Sequence, residues 1–344
     1  MLMQYIRYNA AKSCNNYDMT AEQRRVSSRY PVLFSGYYAG LIQNNGDAIW
    51  KQCMPDPREL EDFDQSPDPL NEISLSPIPG LIHRYPDRVV LLVSNRCPVY
   101  CRFCMRKRLV GSNDFQMDEA GFMDALEYIA SNTAIRDVIL SGGDPLMLSD
   151  ETLYHILSRL RSIGHISFIR IGSRVPVTFP ERITPELCTL LSKFHPLYIN
   201  THFNHPAEIT DDSAKACSML SNAGIPLGNQ TVLLKGVNDN ADVMRQLMTG
   251  LLEIRVKPYY LHQMDLVRGT AHFRTSVECG LEMIKSLRGH ISGMAVPHYV
   301  IDLPGGKGKV AILPDLMERR GDALLLRTYT GELVEYQDLT AVQV

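Results

Sequence analysis

Three cysteines, Cys97, Cys101 and Cys104, fall within eight residues in the order Cys-x-x-x-Cys-x-x-Cys. Thiolates are the soft ligands that iron–sulfur clusters take, and a single loop can supply three of them to a four-iron cluster. The fourth iron is then open to a small molecule, and chemistry would start there. Of the remaining cysteines, Cys14, Cys53, Cys188, Cys217 and Cys279, none is close in sequence to the motif. A second group lies in Asp302-Leu303-Pro304-Gly305-Gly306-Lys307-Gly308-Lys309, where three glycines in four positions let the backbone approach a ligand and present the Lys309 amine as a Schiff-base nucleophile. Upstream, Arg84 and Arg88 flank Tyr85, a pattern suited to a phosphate clamp with an aromatic wall. The turn Ser141-Gly142-Gly143-Asp144-Pro145 reads by itself as an ordinary strand-to-helix connection.

These groups need a scaffold that brings them to one place. At 344 residues, with 45% hydrophobic and 21% charged residues, the chain can bury a full core and is long enough for one large α/β domain or two smaller ones. A formal net charge of −3 gives no electrostatic case for nucleic acid, whose phosphates call for a basic surplus. No apolar run approaches the roughly 18 residues that a membrane helix needs, and Met1-Leu2-Met3-Gln4-Tyr5 lacks a signal-peptide pattern. A soluble cytoplasmic protein acting on a small molecule is the expectation.

Short apolar runs predict strands at Val89–Ser94, Asp137–Leu140, Ser167–Ile171, Leu197–Thr201, Gly228–Leu234 and Lys257–Leu261. Helical spacing predicts helices at Met117–Ser131, Asp150–Ser162, Thr184–Lys193, Asp211–Ala223, Asp239–Glu253 and Ser276–Arg288. Six alternating units imply a parallel sheet with right-handed helical crossovers, here a partial (β/α)6 TIM-like barrel. Residues 1–80 read as an N-terminal cap, helical at Met19–Ser28 and irregular through the proline-rich Pro55–Pro79. Residues 81–303 would form the barrel, and 304–344 the lysine loop with a hairpin built from Ala323–Tyr329 and Leu333–Tyr336. In such a barrel the loops after the strands gather at one rim, which is where the motifs fall.

The cysteine spacing with the glycine turn resembles the radical S-adenosylmethionine (SAM) superfamily. A closer resemblance follows from HRYPDRVVLL, CPVYCRFCMRKR, SGGDPL, IRIGSRVPV, NTHFNHPAEIT, AGIPLGNQTVLLKGVND, IRVKPYYLHQMD, LRGHISGMAVPHYVIDLPGGKGK and RTYTGELVEY, which look like the lysine 2,3-aminomutase family over roughly residues 80–337. That resemblance implies an isomerase with a 4Fe–4S cluster, SAM and pyridoxal 5′-phosphate (PLP). It implies that Cys97, Cys101 and Cys104 hold the cluster, and that Gly142, Gly143, Asp144, His202 and Gln230 lie around SAM, with Arg174 on the cofactor face. Lys309 would carry PLP as an aldimine, Arg84, Tyr85 and Arg88 would bind it, and Arg106 would hold the substrate carboxylate.

Asp265 and Asp302 match the acid pair that takes the side-chain ammonium in lysine-acting members. Two carboxylates and one arginine describe a ligand with a cationic tail and an anionic head, as lysine has. The implied reaction moves the 2-amino group of lysine to C3, through a 5′-deoxyadenosyl radical that takes hydrogen from C3. An electron donor such as flavodoxin or ferredoxin is implied, and a homo-oligomer is compatible. The alternatives are arginine or ornithine as substrate, or lysine destined for modification of elongation factor P. Larger members carry a C-terminal cysteine zinc site, which is not expected here because no cysteine follows Cys279. Lys307 stands where lysine-acting relatives commonly have glycine.

Overall fold

The computed structural model describes residues 19–62, 64–111, 117–320 and 323–336. Cys14 and the end of the chain after Tyr336 lie outside the described residues. Among the described residues the sheet is preceded by a cap with three short α-helices: α1 (Ala21–Arg29), α2 (Gly36–Ala39) and α3 (Ala48–Cys53). Each starts where a side chain satisfies free N–H groups of the first turn: Thr20 in a capping box with Gln23, Ser35 for Tyr38, and Asp47 for Ile49 and Trp50. A turn-rich passage leads from α3 to the sheet, as the prolines there dictate.

The sheet opens with an antiparallel hairpin, β1 (Leu81–Tyr85) and β2 (Arg88–Ser94). From β2 the chain alternates: α4 (Glu119–Ser131), β3 (Asp137–Gly142), α5 (Asp150–Arg161), β4 (Phe168–Gly172), the short α6 (Val175–Thr178) and α7 (Pro185–Ser192). It continues with β5 (Leu197–Thr201), α8 (Asp211–Asn222), β6 (Leu227–Leu233), α9 (Ala241–Glu253), β7 (Lys257–Gln263), α10 (Val277–Leu287) and β8 (His298–Asp302). β9 (Lys309–Ala311) turns back against β8, and β10 (Met317–Arg320), β11 (Ala323–Arg327) and β12 (Leu333–Tyr336) form a separate antiparallel sheet.

Strands β1 to β9 lie side by side in sequence order. The ladders from β2 to β8 are all parallel, and only the two flanking pairs are antiparallel. The six expected strand–helix units are present, and the sheet extends beyond them by β8 and is flanked by β1 and β9. The boundary expected between residues 303 and 304 therefore runs between two hydrogen-bonded strands of one sheet, because Lys309 pairs with Asp302. The hairpin expected near the end of the chain is β11–β12, with β10 added along its edge.

Burial alternates along β4, β5 and β6, so one face of each strand is apolar and buried while the residues between are half-buried or exposed and include Arg170, Asn200 and Gln230. Val89, Leu91, Val138, Leu140, Ile169, Ile171, Leu197, Ile199 and Leu261 lie in one cluster with helix residues Phe122, Leu153, Leu187, Leu220, Leu247 and Ile284. Because all parallel strands end at the same rim, the loops after them converge.

Candidate active site

The cysteine loop leaves the end of β2 and is fastened to the cap. Tyr100 N donates to Leu33 O at 2.8 Å and Arg102 N to Gln52 O at 2.9 Å. Arg102, 1% exposed, is buried against the Glu59 carboxylate, which also receives Lys107 Nζ at 2.6 Å. Removing one partner from a buried ion pair of this kind costs about 3–5 kcal/mol, so the cap fixes the loop firmly. Burial pushes the Lys107 ammonium down to about 8, against the opposing pull of Glu59.

The three thiols lie close enough to influence one another: burial raises Cys97 and Cys104, with the neighbouring thiols adding to it. Among the described residues no three His, Cys, Asp or Glu side chains converge on a single ion. A cubane cluster does not ask for this, since each thiolate binds its own iron. Arg174 Nη1 donates to Cys101 Sγ at 2.8 Å, supplying positive charge to a developing thiolate. The rest of that guanidinium is taken by His202 O at 3.1 Å, Tyr38 Oη at 3.1 Å, Gln52 Oε1 at 2.5 Å and Glu208 Oε1 at 2.7 Å. Arg174 thus buttresses the cysteine loop.

The glycine turn after β3 presses on the same loop. Gly142 has φ +118°, and a Cβ there would lie 2.2 Å from Ser94 O; one on Gly143 would lie 2.5 Å from Arg96 O. Backbone atoms cannot yield as a flexible side chain does. Gly143→Ala is therefore expected to displace residues 94–97 and to cut cluster loading severely, which iron content per chain after anaerobic reconstitution measures. Asp144 turns inward from this turn: its carboxylate accepts from Leu146 N, Ser173 Oγ, Arg174 N and Val175 N at 2.7–3.1 Å. Burial still drives its acid up to about 6. His202, just after β5, is half-buried and hydrogen-bonded to Gln230 of β6, and loss of solvent lowers it to about 3, so it is neutral.

The second group forms where β7, β8 and β9 meet. Lys309 Nζ lies 2.5 Å from Asp302 Oδ2 and 3.3 Å from His262 Nδ1, and its backbone N–H donates to Tyr85 Oη at 2.8 Å. Arg84 Nη1 reaches Asp302 Oδ1 at 3.3 Å. Burial would raise Asp302, but His262 and Lys309 outweigh it and hold the carboxylate well below its usual range. Asp265 goes the other way: burial, reinforced by the Asp302 charge, lifts it to about 7. Arg88 sits apart, paired with Asp87 at 2.8 Å, its guanidinium 4.9 Å above the Tyr85 ring.

Arg84 Nε and His262 Nε2 are buried without an acceptor or donor among the described residues. Unmatched buried polar atoms beside an amine are what a phosphorylated aldehyde would satisfy, so the residues present fit PLP. Arg106 feels the charges of both Cys104 and Asp265: its Nε and Nη2 hold Glu72 at 3.1 and 2.7 Å, and Nη1 donates to Ser141 Oγ at 3.1 Å. Glu72 and His262 are the two members of this constellation that motif reading does not single out.

Two family models match the chain: the radical SAM superfamily over residues 91–247 and lysine-2,3-aminomutase over residues 284–342. An L-lysine 2,3-aminomutase of Fusobacterium nucleatum subsp. nucleatum is 50% identical over 89% of this chain and 73% of its own length. One of Methanococcus maripaludis is 52% identical over 92% of this chain and 74% of that protein. A glutamate 2,3-aminomutase of Clostridioides difficile is 45% identical over 93% of this chain and 77% of its own length. With identity of this order carried through the barrel and the lysine loop alike, the chain belongs to the lysine 2,3-aminomutase family of radical SAM enzymes.

Proposed function

We propose that this chain is an isomerase that moves the 2-amino group of L-lysine to C3, giving β-lysine. The observation that carries the choice of lysine is the acid pair: Asp265 and Asp302 act on one another electrostatically beside Lys309, and Arg106 lies within reach of the Asp265 charge. A pocket with two carboxylates at one end and an arginine at the other selects a zwitterionic head with a cationic tail. Glutamate, with an anionic tail, would face two like charges.

When bound, the 4Fe–4S cluster and SAM supply a hydrogen-abstracting radical, and PLP supplies the conjugated carbon–nitrogen system along which nitrogen migrates. Cys97, Cys101 and Cys104 would hold the cluster, with Arg174 bonded to Cys101. His202 and Gln230, bonded to each other, would line the SAM side with a neutral imidazole. Lys309 would carry PLP, with Tyr85 fixing the Lys309 backbone and Arg84 turned toward the same pocket. Asp302, held ionised, neutralises Lys309 before substrate enters and can then face the substrate ammonium. His262 Nδ1, 3.3 Å from Lys309 Nζ, is placed to hold a proton that the lysine gives up. We further place the enzyme in the cytoplasm, served by a one-electron donor such as a flavodoxin or ferredoxin. Among the described residues no helix is long and apolar enough to cross a membrane.

The test is anaerobic incubation of the reconstituted protein with SAM, PLP, dithionite and, separately, lysine, arginine, ornithine and glutamate. Chromatography should find β-lysine from lysine and no comparable product from glutamate. A β-amino product from arginine or ornithine in preference to lysine would overturn the substrate assignment while keeping the reaction type.

A further inference from the structure

Glu72 belongs to the turn-rich passage before β1, yet its side chain is only 5% exposed. The passage is pinned at separate places: Arg268 N donates to Ser66 O at 3.0 Å, Gly305 N to Pro69 O at 2.8 Å, and His83 N to Leu75 O at 2.9 Å. Within it, Asp68 accepts from Glu72 N at 3.1 Å and Ile73 N at 3.0 Å, fixing the backbone that carries Glu72. The stretch is thus tied to the loop after β7, to the lysine loop after β8, and to β1.

From this anchored position Glu72 grips one edge of Arg106. Nε lies 3.1 Å from both carboxylate oxygens and Nη2 lies 2.7 Å from Oε1, while Nη1 donates to Ser141 Oγ at the end of β3. A guanidinium has five N–H groups. Glu72 and Ser141 engage three of them, which leaves one on each terminal nitrogen. Two such donors make the fork that a carboxylate accepts in bidentate fashion. Arg108 lies 3.6 Å from Glu72 and 3.4 Å from Asp68, with its Nε and Nη1 buried and unmatched among the described residues. The Glu72 charge also raises Asp265, so the arginine end and the acid end belong to one electrostatic unit.

We propose that Glu72 is the positioning residue for Arg106: it holds one edge of the guanidinium so that the remaining fork meets the substrate's α-carboxylate, and it makes the enzyme selective for ligands that carry that group. This rests on the reading of Arg106 as the carboxylate-binding residue. A glutamate that merely neutralised a buried arginine would affect all ligands alike; an orienting glutamate affects only those with a carboxylate.

The experiment uses enzyme loaded with cluster, SAM and PLP, and compares the unchanged chain with E72Q, E72D and R106M. Steady-state kinetics with lysine are combined with inhibition by norleucine, which has the carboxylate but no tail charge, and by cadaverine, which has both amines but no carboxylate. E72Q is expected to raise KM for lysine about tenfold, the order of effect of a lost charge-assisted bond, with kcat changed less than about threefold. Norleucine inhibition should weaken by a similar factor and cadaverine inhibition should not, with E72D in between. Equal weakening of both inhibitors, or no change in either, overturns the proposal. So does failure of E72Q to load its cofactors while E72D behaves normally, which would make Glu72 a folding residue. If R106M weakens norleucine but E72Q does not, the Glu72 proposal falls alone. If R106M leaves norleucine and lysine unaffected, the assignment of Arg106 falls first.

Discussion

Lys309→Ala is expected to abolish covalent attachment of PLP and to lower lysine turnover by at least about a thousandfold, the scale for losing a group that also moves protons in the reaction. Borohydride reduction followed by peptide mass measurement should find the cofactor on Lys309 in the unchanged protein and nowhere in the variant. Lys307→Ala serves as the control, since Lys307 is exposed two residues away and should leave attachment intact. The cluster should survive in Lys309→Ala. Its loop is held by Glu59, by the Gln52 carbonyl and by Arg174, none of which hydrogen-bonds or ion-pairs with β9 among the described residues. Iron content and visible absorbance equal to those of the unchanged protein are the expected readings. Loss of both would mean that the lysine loop and the cysteine loop are one structural unit, and the division of labour between them would have to be abandoned.

The cysteine side of that division was legible from spacing because the cysteine loop and the glycine turn each sit at the end of a strand whose apolar run and following helix are locally encoded. The helix starts show why: Asp118, Ser149, Thr184, Thr210, Asn240 and Ser276 all bond to N–H groups of the first turn, so the boundaries lie in the residues themselves. The additional strands had no such signal. β8 is five residues long and is followed only by the single 3-10 turn Pro304–Gly306, and β9 is three residues long, so both owe their conformation to pairing with the strand beside them. The same distinction separates the site residues. Cys97, Cys101, Cys104, Lys309 and the glycine turn announce themselves by type and interval. Glu72 lies in a stretch without period, and its meaning comes from Arg106, distant in sequence. His262 is one histidine within a strand, and only the approach of β9 puts an amine beside it. Arg102 shows the converse: it stands between the cysteines, where a role at the cluster is tempting, but it faces away and pairs with Glu59 in the cap.

Asp302→Ala and Asp265→Ala are each expected to lower kcat/KM for lysine by about 10²–10³-fold, the range for truncating one side of a desolvated, hydrogen-bonded charge pair. SAM binding, measured separately, should change by less than about threefold, because His202 bonds to Gln230 and, among the described residues, to neither acid, and sites without a shared partner respond independently. The pH profile makes the prediction sharper. Asp265 is lifted to about 7, first by burial and then by the Asp302 charge, so below that pH it binds a proton and offers the substrate ammonium no charge. Lysine kcat/KM should therefore rise with pH up to about 7 and then level off. In Asp302→Ala the second cause is gone while Lys309 stays, so Asp265 should ionise more easily and the acid limb of the residual activity should move to lower pH. An acid limb that stays in place, or moves upward, would show that the two carboxylates do not share a pocket. The cationic tail would then have no single destination, and lysine would lose its advantage over amino acids with neutral side chains.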